Sequence, residues 1–393
     1  MDFKELLARY QEGLTNEEET QYIEKELAKQ EAIENYLAEQ INIDFKEKLD
    51  SSSQEETQKV QKLVSSRLRR LVLIAVLIVV LMAISVFGVL SPLVDYLYYQ
   101  PDEVTVGQHF QDITFDLMAF TELNLPGYAL RGMVATESLG FGEYHVHYGR
   151  LNLFTQETHP VNIKIKRDSR FGTFEDFFGS NYFNFGFLTV RDPQTEHFNH
   201  LKDQKQRLTH HLEQLHPVAY VSAYATFEYD LTMNELEDLK RQYPDLDFAW
   251  VGVRTHSDAE HVPFLIGFNP NPNAGSMPAD KPSMETYPFF RLVDWISSEY
   301  MRPTGSNAKG YEQHYLSLLR YMIDREEAVA VLDHSQHKTH FYKEALTHAL
   351  EEGVTTYGVL VFGNAEDLLP FIQDPLIKTL EIDQVIASKR YLE

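Results

Sequence analysis

RLRRLVLIAVLIVVLMAISVFGVLSPLVDY, Arg67 to Tyr96, decides how this chain is organised. Leu71 to Leu90 is a run of 20 residues in which only Ser85 and Gly88 are not hydrophobic. As a helix it would be about 30 Å long, the thickness of a bilayer core. A core helix of a soluble domain usually keeps a polar stripe, and this one has none. A secretory signal has a shorter apolar run at the N-terminus, whereas this one begins after residue 70. The stretch therefore predicts a transmembrane helix over 71–92. The apolar runs near Val329 and Gly358 are too short for a second span.

The flanks set an expected orientation. Lys62, Arg67, Arg69 and Arg70 precede the span, with the three arginines as the topology-determining residues. Asp95, Asp102 and Glu103 follow it, and no Lys or Arg appears until Arg131. The excess of positive charge on the cytoplasmic side predicts a head of about 70 residues inside and a tail of about 300 residues outside. The expected location is the plasma membrane, crossed once. Tyr96, Tyr98 and Tyr99 fit an outer aromatic belt.

The chain of 393 residues carries a net charge of -24. The part before Leu71 holds 11 basic and 16 acidic residues, and the rest holds 24 and 43. Both sides are acidic, so direct nucleic-acid binding, which needs clustered Lys and Arg, is not expected. All 16 histidines follow the span and there is no cysteine, which excludes disulfides, cysteine nucleophiles and thiolate metal sites.

The head, 1–50, is rich in helix formers. Phe3, Leu6, Leu7 and Tyr10 recur at i, i+3, i+4, i+7 and predict one amphipathic helix, ended by Gly13. Thr15-Asn16-Glu17-Glu18 predicts a capping box with Thr15 as cap. A second helix then carries Tyr22, Ile23, Leu27, Ile33, Tyr36 and Leu37. Residues 51–70 read as a linker and a juxtamembrane helix. So few residues make a weak core, and striped helices without one suggest a partner. The other possibility is a self-contained stalk.

Beyond the span, ITFDLMAF, YALRGMVAT, GEYHVHYGRLNLF and VNIKIKR read as strands of an antiparallel β module over 105–200. NHLKDQKQRLTHHLEQL, Asn199 to Leu215, reads as a helix or connector. From Pro217 the pattern turns to strand, helix, strand, with the helix capped at Thr232. TTYGVLVFG, AEDLLPFIQD and LIKTLEIDQVI repeat that order near the end. Two such units predict an α/β domain over 217–393 of ferredoxin-like type, with three helices inserted at 285–350. The expected class is α+β with one transmembrane helix.

No catalytic motif such as G-x-S-x-G, H-E-x-x-H or a P-loop occurs, so no catalytic residue, cofactor or metal is assigned. His334, His337 and His340 would spread over a broad helical arc rather than chelate. His145 and His147 share one strand face, but the sequence shows no further ligand beside them; His197 and His200 form a weaker pair. Trp250 is expected in the core. The aromatic run Phe174 to Phe187 reads either as a module interface or as a surface for lipid or ligand.

YQEGLTNEEETQYIEKEL, Tyr10 to Leu27, resembles the opening of bacterial anti-sigma domains. The zinc-binding version continues to His-x-x-x-Cys-x-x-Cys, which this head lacks, so the resemblance implies a zinc-free variant. VSAYATFEYDLTMNELEDLKRQYPDLDFAWVGVRT, Val221 to Thr255, resembles the C-terminal domain of transmembrane sigma-factor regulators of Gram-positive bacteria. The resemblance implies a membrane-bound anti-sigma factor, not an enzyme, that sequesters an extracytoplasmic-function sigma factor and answers an envelope signal. The sigma-binding residues would be Phe3, Leu6, Leu7, Tyr10, Leu14, Tyr22, Ile23, Leu27, Ile33, Tyr36 and Leu37. A second membrane regulator is the other partner it suggests. The alternative is a membrane-anchored extracellular enzyme or carbohydrate-binding protein with a non-specific stalk. A structural envelope protein is a third.

Overall fold

The computed structural model describes the chain apart from residues 1–2, 12–14, 50–53, 168, 172–196, 257–264, 273–279, 300–304, 334–336 and 390–393. His334 and the aromatic run 174–187 lie outside the described residues. The chain divides into two compact units, Met1–Ile84 and Ser85–Glu393.

The first unit is helical, with α1 (Phe3–Gln11), α2 (Glu17–Leu49) and the start of α3 (Gln54–Ser85). The capping box exists one residue later than expected. Asn16, not Thr15, accepts from the Glu19 amide at 2.8 Å, and Glu19 answers on the Asn16 amide at 3.2 Å. Thr15 instead pairs its hydroxyl with Thr20 at 2.9 Å. Asn is as good a cap as Thr and Glu19 stands at the third helical position, so the reciprocal pair moves to where both partners exist.

The helical run Val64–Asp95 is long and apolar enough to cross a membrane, and none of its most apolar window is buried within the chain. Near its end the ladder widens into a π-helical turn, Val86–Leu90, before α4 (Ser91–Asp95). The cause is local. Pro92 has no N–H to give to the preceding turn, and the Ser91 amide reaches five residues back to the Val86 carbonyl.

The second unit contains two antiparallel sheets. β1 (Tyr128–Gly140), β2 (Glu143–Asn152), β3 (Thr158–Lys166) and β4 (Ser169–Phe171) form a meander in chain order. Alternation puts Tyr144, Val146 and Tyr148 inward and leaves His145 and His147 on the outer face, as a period of two requires. After α6 (His197–Gln214) come β5 (Tyr220–Thr232), α7 (Met233–Gln242) and β6 (Asp247–Val253). Thr232 caps α7 in a complete capping box with Glu235, as expected. A two-residue strand, β7 (Gly267–Phe268), follows; it is too short to leave a pattern in the sequence. Next are α8 (Leu292–Ile296), α9 (Ala308–Asp324), α10 (Glu326–Leu332) and α11 (Lys338–Glu352). β8 (Thr355–Asn364), α12 (Ala365–Gln373) and β9 (Ile377–Ile386) close the unit.

The second sheet has the order β7-β6-β8-β5-β9. Each strand–helix–strand pair therefore has a strand of the other pair between its members. Both faces of this sheet are covered, which is why β5 and β8 read as almost unbroken buried runs. Trp250 is buried, as expected, and its indole N–H donates to the Glu122 carbonyl at 2.8 Å. One apolar core joins the meander, the second sheet and the helices. Of the three inserted helices expected, the first shrinks to the five residues of α8, while α10 is an extra one.

The largest departure is ITFDLMAF, which is helix α5 (Asp112–Asn124) and not a strand. Its apparent alternation comes from Thr114 and Asp116, polar residues that are buried together with Ile113, Phe115 and Leu117. A helix that is buried all round shows no apolar stripe. The buried carboxylates have partners. Asp116 accepts from Arg325 at 2.9 and 3.0 Å, from the Tyr99 hydroxyl at 2.6 Å and from the Tyr321 hydroxyl at 2.7 Å. Asp112 accepts from the amides of Thr105 and Val106 at 2.8 and 2.9 Å and from the Thr105 hydroxyl at 2.5 Å. Arg325 also lies 3.3 Å from Asp112. Tyr99 is thus a core residue rather than part of an aromatic belt, whereas Tyr96 is exposed.

Two predictions follow from this core. Arg325→Met leaves two buried carboxylates without their cation, so stability should fall by about 3–5 kcal/mol. Chemical denaturation of the detergent-solubilised chain measures it, and an unchanged midpoint would contradict the role given to the cluster. The second concerns pH. Burial pulls the ammonium groups of Lys240 and Lys338 down to about 8. Unfolded lysine titrates near 10.4, so between about pH 8 and that value the unfolded chain binds more protons. Stability should therefore rise with pH through this window. Thermal scans at about pH 7.5 and 9.5, both below the unfolded tyrosine range, should show a higher midpoint at the alkaline value. The Lys240→Met/Lys338→Met double variant should lose that rise.

Candidate functional site

In the first unit, α1 turns back on the opening of α2. Arg9 reaches Glu19 at 3.4 Å, and the Tyr10 hydroxyl reaches Glu24 at 3.4 Å. Ile23 is fully buried, and Leu6, Leu7 and Tyr10 are half-buried. The rest of the predicted binding set stays outside. Tyr22 is 52%, Ile33 58%, Tyr36 61% and Leu37 52% exposed. At 100° per residue these four fall within an arc of about 100° on α2. Leu27, 40% exposed, lies to one side of that arc. The Phe3 side chain and Leu14 are outside the described residues. The predicted set therefore splits. Some members hold α1 to α2, and others form a strip of two tyrosines, an isoleucine and a leucine that is exposed.

Arg67, Arg69 and Arg70 are exposed on α3 just before the apolar run. At the other end of that run, within the second unit, residues 87–98 are held by the meander. The β1–β2 turn is Phe141-Gly142, with φ of +58° and +74°, the left-handed pair that a two-residue hairpin turn needs. A phenylalanine rarely adopts such a conformation. Here its amide donates to the Ser91 hydroxyl at 3.0 Å, and its ring meets Phe87 edge-on at 6.2 Å between centroids. The Gly142 amide donates to Asp95 at 2.5 Å. Gly140 also has positive φ, and a Cβ there would lie 2.6 Å from the Ser91 hydroxyl. Arg167 lies over the Tyr98 ring at 5.6 Å. Four residues after Asp95, Tyr99 enters the Asp116–Arg325 cluster. The helix exit is thus fixed twice, by the hairpin turn and by the buried ions.

Ser91, Asp95 and the Phe141-Gly142 turn were not singled out from the sequence. The Gly-Phe-Gly run at 140–142 marked a turn, but what the turn touches depends on pairing 50 residues apart.

A small cavity lies elsewhere, lined by Met118, Thr121, Glu122, Tyr128, Asn269 and His314. His314 is buried, with one ring nitrogen 2.7 Å from Glu122 and the other 2.9 Å from the Phe289 carbonyl. Burial alone would lower its pKa, but Glu122 and the carbonyl outweigh that and raise it, favouring the imidazolium. The cavity measures about 40 Å³. That suits a water or two rather than a substrate, so the pair acts as a core ion pair. Among the histidines near α11, His340 pairs with Glu344 at 3.2 Å and His337 precedes the helix. His197 and His200 lie in α6.

No curated protein and no solved structure matches the chain. A family model does, and it describes a regulatory rather than a catalytic domain. It is the sigma factor regulator C-terminal model, which matches residues 212–384, from the last turn of α6 to β9.

Proposed function

We propose that the chain is a membrane-anchored anti-sigma factor. Its head holds an extracytoplasmic-function sigma factor through the apolar arc of α2, the span tethers that complex, and the second unit answers an envelope signal. The observation that carries this reading is the exposed strip of Tyr22, Ile33, Tyr36 and Leu37 in a chain whose residues 212–384 match the sigma factor regulator C-terminal model. Four large apolar side chains on one helix face suit the helix-in-groove mode of recognition. Leu27 would sit at the rim; Leu6, Leu7, Tyr10 and Ile23 would set the angle between α1 and α2, and Phe3 and Leu14 remain proposed members of the binding set. With no cysteine in the chain, the head uses no thiolate zinc site.

The arginines at 67, 69 and 70 support an N-terminus in the cytoplasm of a Gram-positive cell and a second unit outside. We read the interleaved strand–helix–strand pairs of that unit as a ferredoxin-like sheet with a helical insertion. A change in its state would reach the span through the Phe141-Gly142 turn on Ser91 and Asp95. It would arrive as a tilt or rotation of the whole helix, because Ser85 is the only side chain in the apolar run able to hydrogen-bond.

The test is co-purification of the full chain from membranes of its source cells, with and without Ile33→Asp/Leu37→Asp. The unmodified chain should bring down a sigma factor. The double variant should lose at least about 100-fold in affinity, since central apolar contacts carry about 2–4 kcal/mol each. Recovery of no sigma factor, or equal recovery by both chains, would overturn the reading.

A further inference from the structure

The β1–β2 pairing brings a third group to the two histidines of β2. His145 and His147 stand two residues apart on the outer face. Register places Glu137 of β1 directly opposite His145. One ligand atom from each of Glu137, His145 and His147 lies within 4.8 Å of the others. We propose that these three residues form a binding site for a borderline divalent cation, with zinc as its natural class of occupant.

The chemistry of the donors selects the ion. Two imidazoles and one carboxylate suit zinc and its transition-metal neighbours, whereas magnesium and calcium want oxygen ligands throughout. Three protein ligands leave the fourth tetrahedral position to water. At zinc bond lengths the ligand atoms would stand about 3.3 Å apart. The side chains must therefore close by up to about 1.5 Å, and Glu137 and His147 are exposed.

A further contact orients the site. Nδ1 of His147 lies 2.6 Å from Oδ1 of Asn162 on β3. That contact makes Nδ1 the protonated nitrogen and leaves the Nε2 lone pair for a metal, the usual arrangement around a metal-bound histidine. The other neighbours leave room. Ala135 faces His147 from β1, and the Lys164 ammonium, opposite His145 on β3, is drawn to Glu143 at 2.9 Å.

The site would clip β1 to β2 directly behind the Phe141-Gly142 turn. A bound ion would then stiffen the arm that holds the span exit. That consequence rests on the membrane-regulator reading, but the binding itself does not.

The test is a zinc titration of the full chain in detergent against a chromophoric chelator. One zinc per chain should bind with micromolar or tighter affinity. His145→Ala/His147→Ala should abolish that binding, and Glu137→Gln should weaken it. Asn162→Ala should cost about 10–100-fold, the range for loss of an orienting partner. His210→Ala/His211→Ala, a control on exposed α6, should change nothing. All substitutions are on the surface, and circular dichroism should show unchanged folds. No micromolar binding, or binding that survives the 145/147 double variant, would overturn the site. Sigma-factor capture plays no part in this assay, so its failure and that of the functional reading are distinguishable.

Discussion

Arg325 between Asp112 and Asp116 is the interaction on which the second unit depends. One guanidinium faces two carboxylates with no exposed side-chain surface. The deficit of positive charge is met by neutral donors, the Tyr99 and Tyr321 hydroxyls on Asp116 and the Thr105 and Val106 amides on Asp112. Such a cluster costs desolvation energy and repays it only when every acceptor is satisfied. Its value here is positional. Tyr99 and Thr105 belong to the segment leaving the apolar helix, Asp112 and Asp116 to α5, and Tyr321 and Arg325 to α9 and its C-terminal end. A single ion cluster therefore ties the segment leaving the apolar helix to α5 and α9 in the interior of the second unit.

The hairpin turn is the second tie. Asp95 and Ser91 supply acceptors to two turn amides, and the π-helical turn beneath them presents Phe87 to Phe141. Bulges of this kind gather at functional positions because they loosen one turn without breaking the helix. Both ties are short, directional contacts that fix the end of the apolar helix to the second unit. The head has the opposite character. Its α1–α2 contact buries Ile23, while Tyr22, Ile33, Tyr36 and Leu37 are exposed on α2.

Much of this architecture was legible in the sequence, for specific reasons. The apolar run declares itself because a bilayer admits no polar stripe. Capping at Thr232 and the strand–helix–strand order from β5 to β6 follow from local rules that tertiary structure did not override. Helix α5 was misread as a strand because its polar residues face buried partners more than 200 residues away in α9 and beyond it. No window of local sequence contains Arg325 and Asp116 together. The same holds for the candidate sites. The histidines of β2 were visible as a pair, but Glu137 joins them only through β1–β2 register. Phe3 to Leu37 read as one binding set, and among its described members the fold separates Ile23, which is buried, from Tyr22, Ile33, Tyr36 and Leu37, which are exposed.

The central claim is that the open face of α2 is a docking surface for a sigma factor at the membrane. The most direct measurement replaces Tyr36 with a photo-crosslinking residue in the full-length chain and irradiates intact cells. Mass spectrometry then identifies the adduct. A sigma factor joined at position 36, and absent when the crosslinker sits on the opposite face at Glu31, is the result this account predicts. Adducts only to lipid, to another copy of the chain or to an unrelated protein would contradict it.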